Sequence, residues 1–333
     1  MFYPLLFRQN LVTLVWGTED WTVSSVPDHI SVVQNGVWAG FSLSQVIESS
    51  PQAILGKATA IRYSGRLPLL AKIIDARQDL SIQVHPDDAM AALRHNKSGK
   101  NEMWYILGAE EGAHLYAGFS ERISPDEYER HVANGSITDV LASHTVCKGD
   151  VFYLPAGRVH AICGGIRLVE IQQSSDVTYR IYDYNRPGLD GRPRQLHTAL
   201  AREAIDFNVY SNYRTESRLS CYATSQVLDT THFSVNIVDA PVKEHRNMLK
   251  YDSFVILVNV QNTCRLRIVS TSEELLLPPE TTCLIPAAIA DYEIIPSSFD
   301  REGCLQPTRI LEAFINNYKT IGQRLSDFLH LTR

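Results

Sequence analysis

Four side chains stand out as able to hold a metal ion: Gln83, His85, Glu102 and His160. Gln83 and His85 are two apart in LSIQVH, a strand-like run closed by Pro86. Side chains at i and i+2 of a strand leave the same face, so both point to one side of a sheet. Proline, with no N–H for the ladder, ends the strand. Glu102 opens EMWYIL after the loop HNKSGKN. His160 closes Gly149-x5-Pro155-x-Gly157-x2-His160, where proline and glycine build a tight turn that returns the histidine to the inner face. Two imidazoles, a carboxylate and an amide oxygen suit a borderline divalent ion, zinc ahead of Mn, Fe, Co or Ni. A single carboxylate does not neutralise such an ion, which keeps Lewis acidity for a carbonyl or hydroxyl. Each motif alone is commonly structural; their joint occurrence at strand ends is what points to a metal site.

The elements that must position these residues are short strands: LSIQVH (80–85), EMWYIL (102–107), DVFYLP (150–155), IRLVEIQ (166–172) and VTYRIYDY (177–184). They are rich in Val, Ile and Tyr and bounded by Gly or Pro, the pattern of a sandwich or barrel. Ser124-Pro125-Asp126-Glu127 predicts a capped helix ending at Gly135. Asp87 and Asp88 open a second helix through Ala92; LSQVIES (43–49) and HTALAREAID (197–206) read as two more, and NYKTIGQRLSDFLH near the end as a last one. A second set of short strands follows residue 206, which places a boundary near residue 205. The expected organisation is an N-terminal catalytic β domain over 1–205, with small helical insertions, and a C-terminal β domain over 206–333 without a metal site.

A net charge of −6 gives no global basic field for nucleic acid or anionic lipid, so an anionic ligand must meet local cations. No basic region precedes the N-terminal apolar stretch, no cleavage signal is evident, and no window nears the ~18 apolar residues of a spanning helix. The six cysteines form no CxxC pair, and scattered thiols suggest a reducing cytoplasm.

The Gly149–His160 segment resembles the second motif of the cupins, apart from Gly164 where many cupins carry Asn. The first cupin motif is altered: Gln83 replaces a histidine and Glu102 lies far downstream. PLLAKIIDARQDLSIQVHPDD (68–88), GKNEMWYIL (99–107), GRVHAI (157–162) and EIQQSSDVTYRIYDYNRPG (170–188) together resemble the type I mannose-6-phosphate isomerases in their short bacterial form. The resemblance implies a mainly β fold of two cupin-type jelly-roll β-barrels with a few short helices. It implies one zinc ion per chain on Gln83, His85, Glu102 and His160, and an active-site Arg180 accompanied by Lys100 and Asp176. The implied reaction interconverts mannose 6-phosphate and fructose 6-phosphate through an enediol, so the expected partner is a small sugar phosphate. Trp16-Gly17-Thr18 departs from the family's WGG.

Arg180 stays protonated, so its expected role is to steady an oxyanion or orient a carboxylate such as Asp176. Lys100 would hold a substrate oxygen or the phosphate, or act as base. Arg66, Lys72, Lys97 and Lys100 are the candidate phosphate cations. Trp104 and Tyr105 read as core, Ser81 as structural, and His95, His114, His131 and His144 as surface or loop residues. The competing readings are another sugar-phosphate enzyme or an iron oxygenase on the same scaffold, and a non-catalytic sugar-binding double barrel.

Overall fold

The protein, described here by a computed structural model covering residues 2–216 and 223–318, is mainly β, as the sequence predicts. Its strands form two compact units, one comprising Asn10–Trp21 and Leu70–Glu216, the other Met1–Gln9, Thr22–Leu69 and Ser217–Arg333. The units do not divide at a single chain position. Residues 22–69 group with the C-terminal strands, where the Asp252 carboxylate accepts from the amides of Lys57 (2.9 Å) and Ala58 (2.7 Å).

The unit holding residues 70–216 contains two antiparallel sheets. The first has the strand order Tyr179–Tyr182, Ile82–Val84, His160–Ile162, His114–Phe119, Leu141–Thr145. The second runs Leu11–Leu14, Gly17–Val23, Leu69–Ala76, Ile166–Gln173, Glu102–Ala109, Val151–Leu154. Alternation assigns their faces. From the first sheet Ile82, Val84, Ala161, Tyr179 and Ile181 pack with Tyr128, Ile137 and Ala201, on a face covered by the helices Pro125–Asn134 and Thr198–Ala204. From its other face Leu115, Ala117 and Ile162 pack with Ile74, Trp104, Ile106, Phe152 and Leu168 of the second sheet. Gln83 and His160 therefore project between the sheets, opposite Trp104.

The helices start where the capping chemistry places them. Ser124 and Glu127 form a reciprocal capping box, and Gly135 takes the left-handed conformation that ends that helix. Asp87 caps Asp88–His95, which runs one turn beyond Ala92. LSQVIES is a helix over Leu43–Ser49. Strands also form at Leu5–Leu6 and Leu11–Leu14, inside the N-terminal apolar stretch, and at Gly17–Val23 just after it. The proposed last helix falls almost wholly outside the described residues, as does Cys221; the five described cysteines are free.

The other unit carries sheets ordered Leu5–Leu6, Thr282–Ile285, Val255–Gln261, Thr308–Phe314, Ser234–Ala240, Thr224–Asp229, and Glu244–Asn247, Asp291–Pro296, Cys264–Ile268, Glu274–Leu277. Among the described residues no helix is long and apolar enough to cross a membrane.

Candidate metal centre and active site

The first sheet sets three of the site residues in one row. Gln83 is the register partner of both His160 and Arg180, and directly opposed residues of antiparallel strands emerge on the same face. His85 follows two residues on. The second sheet contributes Glu102 at the start of Glu102–Ala109. His85, Glu102 and His160 are buried, with one donor atom each lying within 4.8 Å of the others; among the described residues no other such group of His, Cys, Asp or Glu occurs.

Hydrogen bonding fixes which imidazole nitrogen is bare. His85 Nδ1 lies 2.9 Å from Val177 O and His160 Nδ1 lies 2.8 Å from Arg158 O. A carbonyl only accepts, so each Nδ1 carries the proton and each Nε2 presents a lone pair. Those lone pairs face Glu102, with His85 Nε2 3.3 Å from Oε1 and His160 Nε2 3.4 Å from Oε2. Burial pushes the His85 imidazole down to about 4, helped by the Lys100 charge, and burial likewise lowers His160. Burial alone would raise the Glu102 carboxyl, but Lys100 and the two imidazoles reverse this and hold it well below the usual carboxylate range. Neutral imidazoles and an ionised carboxylate are the states a divalent cation requires.

Lys100 Nζ sits 2.6 Å from Glu102 Oε1 and 3.3 Å from His85 Nε2. Despite that close charge contact, neither Glu102 oxygen has a hydrogen bond of sound geometry among the described residues. The buried Glu102 oxygens are thus left beside two imidazole lone pairs whose only donors are Lys100 and the Gln83 amide, and a metal ion fits that set of lone pairs. The Gln83 amide reaches the same cluster with its nitrogen 3.4 Å from His160 Nε2, an N–H donating to the imidazole lone pair; the amide turned over would present its oxygen there.

The backbone explains the spacing of the motifs. Gly99 lets the loop before Glu102 pass against Asp87 and Asp88, where a Cβ would come within 2.5 Å of the Asp88 nitrogen. Gly99 N donates to the Asp88 carboxylate (2.8 Å), and Lys100 N to Pro86 O (3.2 Å). Gly157, at φ +87°, donates from its N–H to His85 O (2.9 Å), which joins the turn before His160 to the chain bearing His85. Arg158 is clasped between Tyr210 and Tyr213, at 4.5 and 4.6 Å from the ring centroids, which anchors the carbonyl that fixes His160. Trp104 is buried core, edge-on to the His160 ring at 5.3 Å, with its indole N–H on Glu170 (2.9 Å).

The remaining candidates separate. Arg180 is half-buried; one guanidinium nitrogen donates to Gln195 O (2.8 Å) and Nε is buried without a partner among the described residues. Burial and the nearby charges of Arg194 and Arg186 lower its pKa. Asp176 does not meet Arg180: its carboxylate pairs with Lys97 at 2.5 Å near the surface. Lys72 is buried with its charge paired to Glu170 (3.1 Å) and Glu19 (3.4 Å). Arg66 is exposed and belongs to the other unit. Ser81 and Tyr105 are buried. His95 bonds the Tyr179 hydroxyl (2.8 Å), His131 the Ser136 hydroxyl (2.9 Å) and His144 the Ala117 carbonyl (3.3 Å), while His114 lies against Tyr116.

Asn101, Gln172 and Gln173 belong to no ligand motif of the sequence, yet all three are buried beside the cluster. Asn101 donates from its backbone and side chain to Gln173 Oε1 (3.0 and 2.6 Å), and its Oδ1 accepts from Tyr153 OH (3.1 Å) and Ala156 N (3.0 Å). Gln173 Nε2 continues to Asp88 (3.1 Å). Polar residues inside otherwise apolar strands, as in GKNEMWYIL and EIQQ, were the signal.

Residues 17–107 match the family described as phosphomannose isomerase type I, catalytic domain. The chain is 34% identical over 251 residues to mannose-6-phosphate isomerase ManA of Bacillus subtilis, covering 70% of this chain and 78% of that protein. It is 40% identical over 214 residues to the mannose-6-phosphate isomerase of Streptococcus mutans, covering 59% of this chain and 66% of that one. A crystal structure of the Bacillus subtilis mannose 6-phosphate isomerase superposes with a TM-score of 0.78 at 28% identity, over 93% of this chain and 99% of that chain. The chain belongs to the type I mannose-6-phosphate isomerase family.

Proposed function

We propose that this chain interconverts mannose 6-phosphate and fructose 6-phosphate, with one zinc ion held by Gln83, His85, Glu102 and His160. The observation that carries the reading is the convergence of two bare imidazole nitrogens on a buried, ionised carboxylate that has no well-formed hydrogen bond. When bound, the ion would supply electrophilic stabilisation for negative charge on the sugar oxygens.

The chain's own groups do the rest. Moving a proton from C2 to C1 through an enediol needs charge stabilisation at O1 and O2 and a group that carries the proton. Lys100 is buried within the cluster and points its ammonium at the Glu102 carboxylate, where it would meet a sugar oxygen. Arg180 emerges in the row of Gln83 and His160, with Arg186 and Arg194 nearby, and would stabilise the anionic side of the substrate. Asp176 would act only through its pair with Lys97, holding the loop between residues 95 and 101. The unit of residues 10–21 and 70–216 would be catalytic and the other would lack a metal. A pair of cupin-type jelly-roll barrels and a cytoplasmic location complete the reading.

The test is a coupled assay for fructose 6-phosphate with metal-replete protein, chelated protein and His160→Ala. Activity is expected to fall on chelation, return with zinc and be lost in His160→Ala. Robust turnover in chelated protein or in His160→Ala would sink the metal assignment, and no turnover in replete wild type would sink the activity.

A further inference from the structure

We infer that Gln172 is a specificity-determining residue of this site, its carboxamide oxygen accepting a hydrogen bond from one hydroxyl of the bound sugar chain; the inference deepens the sugar-phosphate reading and rests on it. Gln172 is fully buried near the end of Ile166–Gln173. In the register of the second sheet it lies directly opposite Glu102, and Glu170 lies opposite Trp104 two residues further along. Opposed residues of antiparallel strands project together, so Gln172 emerges beside the Glu102 carboxylate. That face is the one that looks onto the site, because Trp104 on the same face meets the His160 ring.

The amide can point only one way. Its nitrogen donates to the carbonyls of Gln173 (2.8 Å) and Ser175 (2.7 Å). Turned over, the oxygen would confront two acceptors, so the orientation is set by the chain. The oxygen is then left buried with no donor among the described residues. Buried carbonyl oxygens are rarely left so, since the loss of a water partner is not repaid. The neighbouring Glu102 and both imidazole Nε2 atoms are acceptors as well, and the Lys100 ammonium is turned to Glu102 (2.6 Å) and His85 Nε2 (3.3 Å) and makes no bond to Gln172. What the position lacks is a hydroxyl, and a polyhydroxylated chain held at this site brings several. Aiming an amide acceptor at one of them selects for a sugar bearing a hydroxyl there, because an analogue without it leaves the acceptor unpaired.

A role confined to bracing the turn at residues 173–175 would not depend on which hydroxyls the ligand carries, and this separates the two. Binding of mannitol 6-phosphate and its single-deoxy analogues is measured by calorimetry on metal-replete wild type and Gln172→Met, with metal content determined for both. In wild type, deleting one hydroxyl is expected to weaken binding by about tenfold to a hundredfold; in Gln172→Met, with metal content unchanged, that same deletion is expected to cost little. Equal discrimination in the two proteins, or loss of metal from Gln172→Met, would overturn the inference. So would a wild type with no hydroxyl whose removal costs tenfold, a result that needs no variant to fold. Because binding is read as heat, failure of wild type to turn over mannose 6-phosphate would count against the isomerase reading separately.

Discussion

Asn101→Ala is expected to weaken metal binding without removing any metal ligand. Asn101 lies next to Glu102, and its side chain joins the start of that strand to the turn leading to His160 through Ala156 N, and to the strand Ile166–Gln173 through Gln173. Truncation removes three side-chain hydrogen bonds, to Gln173, Tyr153 and Ala156. At about 1 kcal/mol net for each neutral bond, and with the half-buried Tyr153 hydroxyl regaining water, the loss comes to about 2 kcal/mol of folding stability. The effect on metal is larger in proportion. Outer partners that orient ligands are worth about 10–100-fold in metal affinity, and the relative placement of Glu102 and His160 depends on this one side chain. The assay is competition against a chromophoric zinc chelator, run beside urea unfolding of the metal-free protein. Asn101→Ala that unfolds about 2 kcal/mol earlier, yet binds zinc within twofold of wild type, would refute the reasoning and leave Asn101 a purely structural residue.

Lys72→Met should be strongly destabilising, by about 3–5 kcal/mol in chemical denaturation, because it leaves the buried Glu170 carboxylate, and the partly buried Glu19 beside it, without their cation. Lys72→Met combined with Glu170→Gln should recover part of the loss, and no recovery would count against the pairing. Asp183 accepts from Arg186 (2.9 and 3.1 Å) and Arg194 (2.6 Å, twice), and although burial alone would raise its carboxyl, these bonds lower it. A carboxyl with a folded-state pKa below its unfolded one stabilises the fold above the unfolded value, and that stability is lost as pH falls through the folded pKa. Asp183→Asn should therefore flatten the decline of stability below about pH 4 while lowering stability at neutral pH; an unchanged acid limb would refute the assignment.

The clustering of Gln83, His85 and His160 was legible because a strand writes its faces into sequence. Ile82 and Val84 go to the helices, which leaves Gln83 and His85 on the other side, and the Pro155–Gly157 turn has a fixed geometry. Glu102 was legible only through its motif, since nothing local says that a strand seventeen residues after His85 lies across from it. Asn101, Gln172 and Gln173 were not legible for the same reason: their partners come from other strands, and a polar residue in an apolar run does not say whom it bonds. Lys72 and Asp176 show the converse. A lysine in LLAKIIDA and an aspartate in QSSDV look equally available to a substrate, until tertiary pairing gives one to Glu170 and Glu19 and the other to Lys97.

The other unit supplies an internal control for the metal assignment. It too buries a carboxylate in a strand, Glu312, which is fully inaccessible. There the chain provides its own donors: Arg246 bonds both oxygens (2.8 and 2.7 Å), Tyr292 OH donates to Oε1 (2.7 Å) and Asn236 Nδ2 to Oε2 (3.1 Å). The guanidinium fork meets the carboxylate side-on and the remaining lone pairs are filled, so nothing is left for an ion to bind. Glu102 is equally inaccessible, yet its neighbours are two lone-pair nitrogens and a single ammonium without hydrogen-bond geometry. One chain has thus met the same burial penalty in two ways. Where stability alone is served, the carboxylate is closed by arginine, tyrosine and asparagine. Where the carboxylate is kept open, two oriented imidazoles and an amide stand around it with one ammonium for charge, and a divalent cation is expected to stabilise that arrangement further.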